Sequence, residues 1–533
     1  VLPLLAFACT LFSGFGHAAS VATEASTIPE TVTSHTAVPA GLPAADRVMH
    51  IIVALPLRNT ASLDALLREI YDNQSPHYRH YLSVEEFTDG FGPTAEDYDT
   101  ARAYFAQNGF SVDAPAANRV IITLDGKVSD VERVFHVTIG LYRHPTEGRD
   151  FFSADRLPTV DLATPILQVI GLDDFVLPYN RLARGDAAER ATGSGPDGNF
   201  TGNDMRAAYY HNGKLTGTGQ SIGLMELSGL DVEDVKTFFA KGYGPKNVVP
   251  IDLIKTDSLP VTCTVAEGCD DSEQALDVEY SISMAPGLKS VRVYVGLAPE
   301  DVLNRMASDN ISKVLSTSWG WNENFATDDA IFKEFAAQGQ TNLTASGDDS
   351  SLAASDPWPE EDANIVAVGG TDLVTNGAGG TWKSETGWED SAGGPSTDPT
   401  IKIESYQLPY ITTANGGSKK LRNVPDVAAS ANFDMYLCAD TTCTGGYGGT
   451  SFASPIWAGF IALVNEQAIA DGIPVAGFIN PAIYALGKTS SYATGFHDIL
   501  QGKSGKFSCT KSYDLVTGLG SPTGEGLIKL LAQ

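Results

Sequence analysis

Beyond residue 200 the chain sets short apolar runs, QSIGLMEL, VRVYVGL, ISKVLSTSWG, TNLTASGD and ANIVAVGG, between helical and turn-forming stretches. Runs without an alternating polar face suit strands covered on both sides, so the pattern predicts a buried parallel sheet within an α/β body over 200–533. Ahead of it the pattern changes. VMHIIVALP reads as a strand, SLDALLREIYD and TAEDYDTARAYFAQNG as helices, NRVIITLDG as an extended run, and VSDVERVFHVTIGLYRH as a helix running into another strand. Helices alternating with strands over 42–182 predict a compact α+β domain.

The joints have their own composition. The stretch GDAAERATGSGPDGNF, residues 185–200, is small, polar and glycine-rich, which predicts an exposed, mobile linker over 183–199 open to proteolysis. Residues 19–41 are rich in Ala, Thr, Ser and Pro and read as a flexible lead-in. The apolar start VLPLLAFACTLFSGF, followed by Gly16, His17 and Ala18, is expected to be a secretory signal over 1–18, placing the protein outside the cell or in a periplasm. That run is too short for a membrane span, and no later segment supplies one.

Charge and cysteines narrow the class. Among 533 residues, 35 Lys and Arg stand against 65 Asp and Glu, a net charge of -30 that opposes binding to nucleic acid. Carboxylates neutralise as pH falls, so the composition suits an acidic setting, although an acidic surface also simply keeps a protein soluble. After Cys9 in the signal, five cysteines remain; the close spacings predict two local disulfides, Cys263 with Cys269 and Cys438 with Cys443, leaving Cys509 unpaired. Their spacing matches no compact zinc pattern.

The histidines decide what chemistry is available. Only His211 and His497 lie in the main body, and neither sits in a glycine-marked catalytic setting. A serine nucleophile there is better served by a carboxylate base, which favours acid conditions. The serine candidate is Ser451 in GGTSFASP, where two glycines lead into a helix whose N-terminal N–H groups can meet an oxyanion; helix capping is the competing role. In DDSEQALDVEY, Glu273 and Asp277 stand four apart and share a helix face, while the offset of Glu279 turns it elsewhere. A solvated acidic helix start would look the same. Asp348 follows the apolar run LTASG at a predicted strand end, with Asp349 as the competing choice.

Taken in order, SEQALDVE, SWG, TASGD, AVGGT, VPDVAA, GGTSFASPIWAG, HDIL and YDLVTGLG resemble the sedolisin family of serine-carboxyl peptidases, kumamolisin-like and made with a propeptide. The resemblance implies an α/β, subtilisin-like catalytic domain with a central, mostly parallel sheet, preceded by an α+β, ferredoxin-like propeptide domain that inhibits and assists folding. It implies a serine endopeptidase with Ser451 as nucleophile, Glu273 as general base, Asp277 as the partner of Glu273, and Asp348, protonated, at the oxyanion. Ser318, Trp319 and Gly320 would line the groove for peptide or unfolded-protein substrates. The closing segment implies one Ca2+ held by Asp498 and Asp514 side chains and the carbonyls of Ile499, Thr510 and Ser512. Glycine is usual in the family at positions 510 and 512, and also at 350, where this chain has Ser350; Phe452 replaces a smaller residue. Self-cleavage within 183–199 at low pH and a monomeric product are further expectations. The alternatives are a Ser-His-Asp triad using His211 or His497, and an inactive peptide-binding protein on the same scaffold.

Overall fold

The computed structural model describes residues 21–22, 26–185, 192–211, 213–246, 249–322, 324–352 and 358–533; the expected signal over 1–18 and residues 186–191 of the expected linker lie outside them. The chain divides into two compact units, one of residues 1–55, 95–113 and 123–175, the other of 56–94, 114–122 and 176–533. The domain read as continuous from 42 to 182 is therefore divided: the helix Thr60–Ile70 and the segment after Phe175 belong to the second unit.

In the first unit, β1 (Val48–Ala54), α1 (Ala95–Gln107), β2 (Ser111–Val112), β3 (Ile121–Lys127), α2 (Val128–Phe135) and β4 (Gln168–Ile170) follow one another along the chain. The strands form one sheet in the order β2-β3-β1-β4, with β1 antiparallel to β4 and β2 antiparallel to β3. Ile51, Ile52, Val53 and Ala54 are buried, and Phe105 of α1 stacks on Phe135 of α2 with ring centroids 5.7 Å apart. Residues read as a flexible lead-in instead include a helical turn at Glu30–Thr33 and a strand at Val38–Gly41 that pairs with Ile139–Arg143.

The long final segment of the second unit, from Val176, begins with two short strands, β5 (Tyr179–Asn180) and β6 (Ala183–Arg184). Its body contains β7 (Ser221–Glu226), β8 (Ile251–Lys255), α3 (Ser272–Met284), β9 (Ser290–Val295), β10 (Val314–Thr317), β11 (Trp319–Gly320), β12 (Thr341–Ala345), β13 (Val366–Thr375), β14 (Trp382–Gly387), β15 (Val427–Ser430), β16 (Met435–Ala439), β17 (Thr442–Gly448) and α4 (Thr450–Ala470). An eight-stranded sheet runs β8-β9-β7-β10-β12-β13-β14, with β15 also paired to β13, and only the β13–β14 pair is antiparallel. The predicted buried parallel sheet is thus present. β7, β10 and β12 are covered on both faces, which is why their sequences lack a polar alternation. Every residue of α3 is buried, as are Thr450 to Asn465 of α4; a helix apolar around most of its circumference belongs inside a core, and these two pack together there. Polar residues on them therefore need a purpose. Cys263 is bonded to Cys269 and Cys438 to Cys443, while Cys509 is free and buried. Among the described residues no helix is long and apolar enough to cross a membrane.

Candidate active site

Parallel sheets gather function at the carboxyl ends of their strands. Glu226 is the last residue of β7, Ser318 follows β10, and Asp348 lies three residues beyond β12. α3 brings Glu273 and Asp277 to the same place on one face, at 1 % and 0 % exposure.

Ser451 is the second residue of α4, behind Gly449, whose φ of 129° is costly for other residues. Its hydroxyl caps nothing: Ser451 Oγ makes no hydrogen bond, and neither do the two Glu273 carboxyl oxygens. The hydroxyl is nonetheless close enough to Glu273 to favour its ionised form; such contacts commonly tighten only when substrate binds. Pro455 lies within α4 and has no N–H to give to the Ser451 carbonyl one turn earlier. That carbonyl instead lies 3.2 Å from the Ser318 hydroxyl, which is also 2.9 Å from Asp277 Oδ1.

The carboxyls are held away from ordinary titration by burial. Desolvation, then the neighbouring Asp277 and Glu226, drives Glu273 well above its usual range. Asp277 is pushed up to about 8, mainly by burial, with Ser318 and Glu226 opposing. Glu226 rises through burial and the proximity of Asp277, and its Oε2 accepts a hydrogen bond of 2.9 Å from Trp319 Nε1. Three buried carboxyls this close share protons as a set. Burial pushes Asp348 up to about 7 although the Thr450 N–H and hydroxyl both donate to its Oδ1 at 2.8 Å. Glu226 carries no local motif, and the sequence reading missed it; a lone Glu closing the apolar run SIGLME was the available signal.

The other predicted residues are placed as follows. Trp319 and Gly320 form β11, antiparallel to β5, in the register Tyr179 to Gly320 and Asn180 to Trp319. Ser350 has a φ of 67°, the left-handed conformation that glycine adopts freely, and buried Phe452 packs edge-on against Tyr280 at 4.9 Å. His211 follows the helix Gly202–Tyr210, and His497 stacks flat on Trp382 at 3.8 Å; neither hydrogen-bonds Ser451. Near the C-terminus, Asp514 Oδ2 accepts from Thr510 N and its Oδ1 from Val516 N and Thr517 N, while Asp498 Oδ1 accepts from Ser512 N at 2.9 Å. Ile499 is buried beside Asp498, and Ser512 has a φ of 74°. Asp514 is 1 % exposed, and no Lys or Arg pairs with it among the described residues. Two such carboxyls are of the hard-oxygen kind that Ca2+ takes, and the Tyr492 hydroxyl lies against both Asp498 Oδ1 at 3.2 Å and the Ser512 carbonyl at 3.0 Å. Among the described residues no cluster of three or more His, Cys, Asp or Glu could hold a metal ion.

Comparison with known proteins relates both parts of the chain to peptidases. Residues 16–175 match the family model for the Pro-kumamolisin activation domain, and 285–501 match the Subtilase family. "Sedolisin" of Pseudomonas sp. (strain 101) is 26 % identical over 573 aligned positions, covering 99 % of this chain and 94 % of the relative. "Xanthomonalisin" of Xanthomonas sp. (strain T-22) is 27 % identical, covering 90 % of this chain and 64 % of that protein. The solved structure of Pseudomonas sedolisin, a serine-carboxyl proteinase complexed with two molecules of pseudo-iodotyrostatin, superposes with a TM-score of 0.54 at 24 % identity, over 64 % of this chain and 98 % of that one, and so shares the fold. The protein is a serine-type peptidase of the subtilase clan carrying an N-terminal activation domain. Over nearly its whole length it is similar to sedolisin-type relatives within that clan.

Proposed function

We propose that this peptidase is an acid-active endopeptidase in which Ser451, Glu273 and Asp277 form the triad and Asp348 completes the oxyanion hole. The observation that carries this reading is a serine at a helix N-terminus beside two buried carboxyls on α3, with its hydroxyl bonded to no imidazole. Ser451 Oγ attacks the peptide carbonyl as its proton passes to Glu273. Asp277 holds Glu273 and shares the negative charge. As the tetrahedral intermediate collapses, Glu273 returns the proton to the leaving amine, and water then resolves the acyl-enzyme by the same route. Asp348 must be protonated to donate to the oxyanion, since its carboxylate would repel that oxygen. Its elevated pKa of about 7 keeps the proton on in acid.

Ser318, Trp319 and Gly320 present the backbone edge on which a peptide lies, as β5 does. Ca2+ is held by Asp498 and Asp514 with the carbonyls of Ile499, Thr510 and Ser512; bound there, it neutralises buried carboxylate charge and ties the C-terminal loops to the body. The first unit is ferredoxin-like: two helices on a sheet ordered β2-β3-β1-β4 support that description. The mature enzyme is read as a secreted or periplasmic monomer acting on peptides or unfolded proteins.

The test is proteolysis of a denatured protein across pH by the wild type, Ser451→Ala and Glu273→Gln. Each variant is expected to lose at least about a thousandfold in kcat/KM. Retained activity in both would remove the site, and an inert wild type would favour the inactive peptide-binding scaffold.

A further inference from the structure

The segment Tyr179–Arg184 lies across the candidate site within the second unit. Its first part pairs with β11, and the Arg181 N–H donates to the Ser318 carbonyl at 3.0 Å. Its second part pairs with β17, Ala183 opposite Gly448 and Arg184 opposite Tyr447. Between the two ladders only the peptide joining Arg181 to Leu182 is left to face the start of α4. The Arg181 carbonyl oxygen lies against Gly449, where an added β-carbon would collide with both that oxygen and Asp348 Oδ2. The Arg181 carbonyl thus lies beside the proposed oxyanion donor, at the glycine two residues before Ser451.

The Arg181 side chain points into the protein. Its Nη2 donates to Glu360 Oε2 at 2.5 Å, its Nη1 to the Ala345 carbonyl, and both side chains are only 2 % exposed. Gly347, at a φ of 106°, lies beside the guanidinium: a β-carbon added there would stand 3.5 Å from Nη1 and 3.7 Å from Cζ. A pocket with a carboxyl at its end and a peptide carbonyl on its wall gives two acceptors to a planar cation; burial holds Glu360 up at about 7 although Arg181 lowers it, so the guanidinium is the partner that favours a carboxylate there.

We infer that Glu360 makes this pocket a receptor for arginine on the acyl side of the cut bond, and that the chain's own Arg181–Leu182 bond is its first substrate. The inference rests on the catalytic reading above. In that first cut, Ser451 Oγ bonds to the Arg181 carbonyl carbon and Glu273 takes the hydroxyl proton. The bond to Leu182 N breaks as that nitrogen receives the proton, and water then releases a carboxyl terminus at Arg181. The cut falls just ahead of the linker that composition marked at 183–199.

Activated enzyme is to be assayed with peptides differing only at the residue before the cut: arginine, citrulline, which has the same shape without the charge, and tyrosine. Arginine is expected to exceed citrulline by about 100-fold in kcat/KM, and Glu360→Gln to bring that ratio to within about threefold. Should Glu360→Gln not fold, Glu360→Asp is expected to keep the preference for charge while lowering kcat/KM for arginine. Equal cleavage after tyrosine and arginine overturns the inference and leaves the Ser451 mechanism standing; failure to cut any peptide or denatured protein sinks both. Mass spectrometry of the zymogen in the first moments after acidification should find a fragment ending at Arg181, more slowly released from Arg181→Gln. A first cut elsewhere, with the Arg181–Leu182 bond intact, also overturns it.

Discussion

Trp319 Nε1 donates to Glu226 Oε2 at 2.9 Å, joining β11 to a carboxyl that raises the pKa of Glu273. Glu226→Gln removes a negative neighbour of Glu273 while keeping an acceptor for the indole. Glu273 should then ionise at lower pH, and the acid limb of the kcat/KM profile should shift down. Glu226→Ala leaves the indole N–H buried without an acceptor, at a cost of about 1–3 kcal/mol in stability measured by denaturant unfolding.

Asp348 makes a separate prediction at higher pH. Its proton is lost as pH rises through about 7, so wild-type turnover should decline across that range. Asp348→Asn has a donor that does not titrate. It should keep more activity than Asp348→Ala and lose the decline near pH 7, which pH-rate profiles of the three proteins would reveal.

The buried carboxyls also set stability. Glu226, Glu273 and Asp277 are raised in the folded state, so that state binds more protons than the unfolded chain, whose carboxyls titrate at about 4. Their contribution is full below the unfolded values and is lost as pH rises through the folded ones, about 8 for Asp277. Calorimetry of the inactive Ser451→Ala protein should therefore give a lower Tm at pH 8 than at pH 5, with a shallower slope when Glu226→Gln is added.

Removing divalent cations tests the C-terminal loops. A chelator should lower Tm, added Ca2+ should restore it, and Asp514→Ala should abolish the Ca2+ response. A Tm indifferent to both would argue against the calcium assignment.

How far these residues could be read from sequence depends on how far apart they lie along the chain. Glu273 and Asp277 are one helical turn apart, so their common face follows from spacing. That Ser451 stands at the start of a helix was legible from the glycines before it, and the parallel sheet from apolar runs such as QSIGLMEL. Glu226 was not, because only the register of β7 against β10, which sets Met225 beside Thr317, brings it near Trp319. Arg181 was hidden for another reason: it borders a stretch whose composition signals a linker, and composition says nothing of the path a chain takes. The division of 42–182 was equally invisible, since the helix Thr60–Ile70 has an ordinary amphipathic pattern whichever unit it joins.

Pro455 has a consequence for attempts to toughen this enzyme. A standard remedy would exchange a proline inside a helix for alanine and recover a backbone bond. Here the recovered N–H would claim the Ser451 carbonyl, leaving the Ser318 hydroxyl with Asp277 as its sole partner. A sturdier helix would thus come at the expense of the link that Ser318 makes between the start of α4 and Asp277.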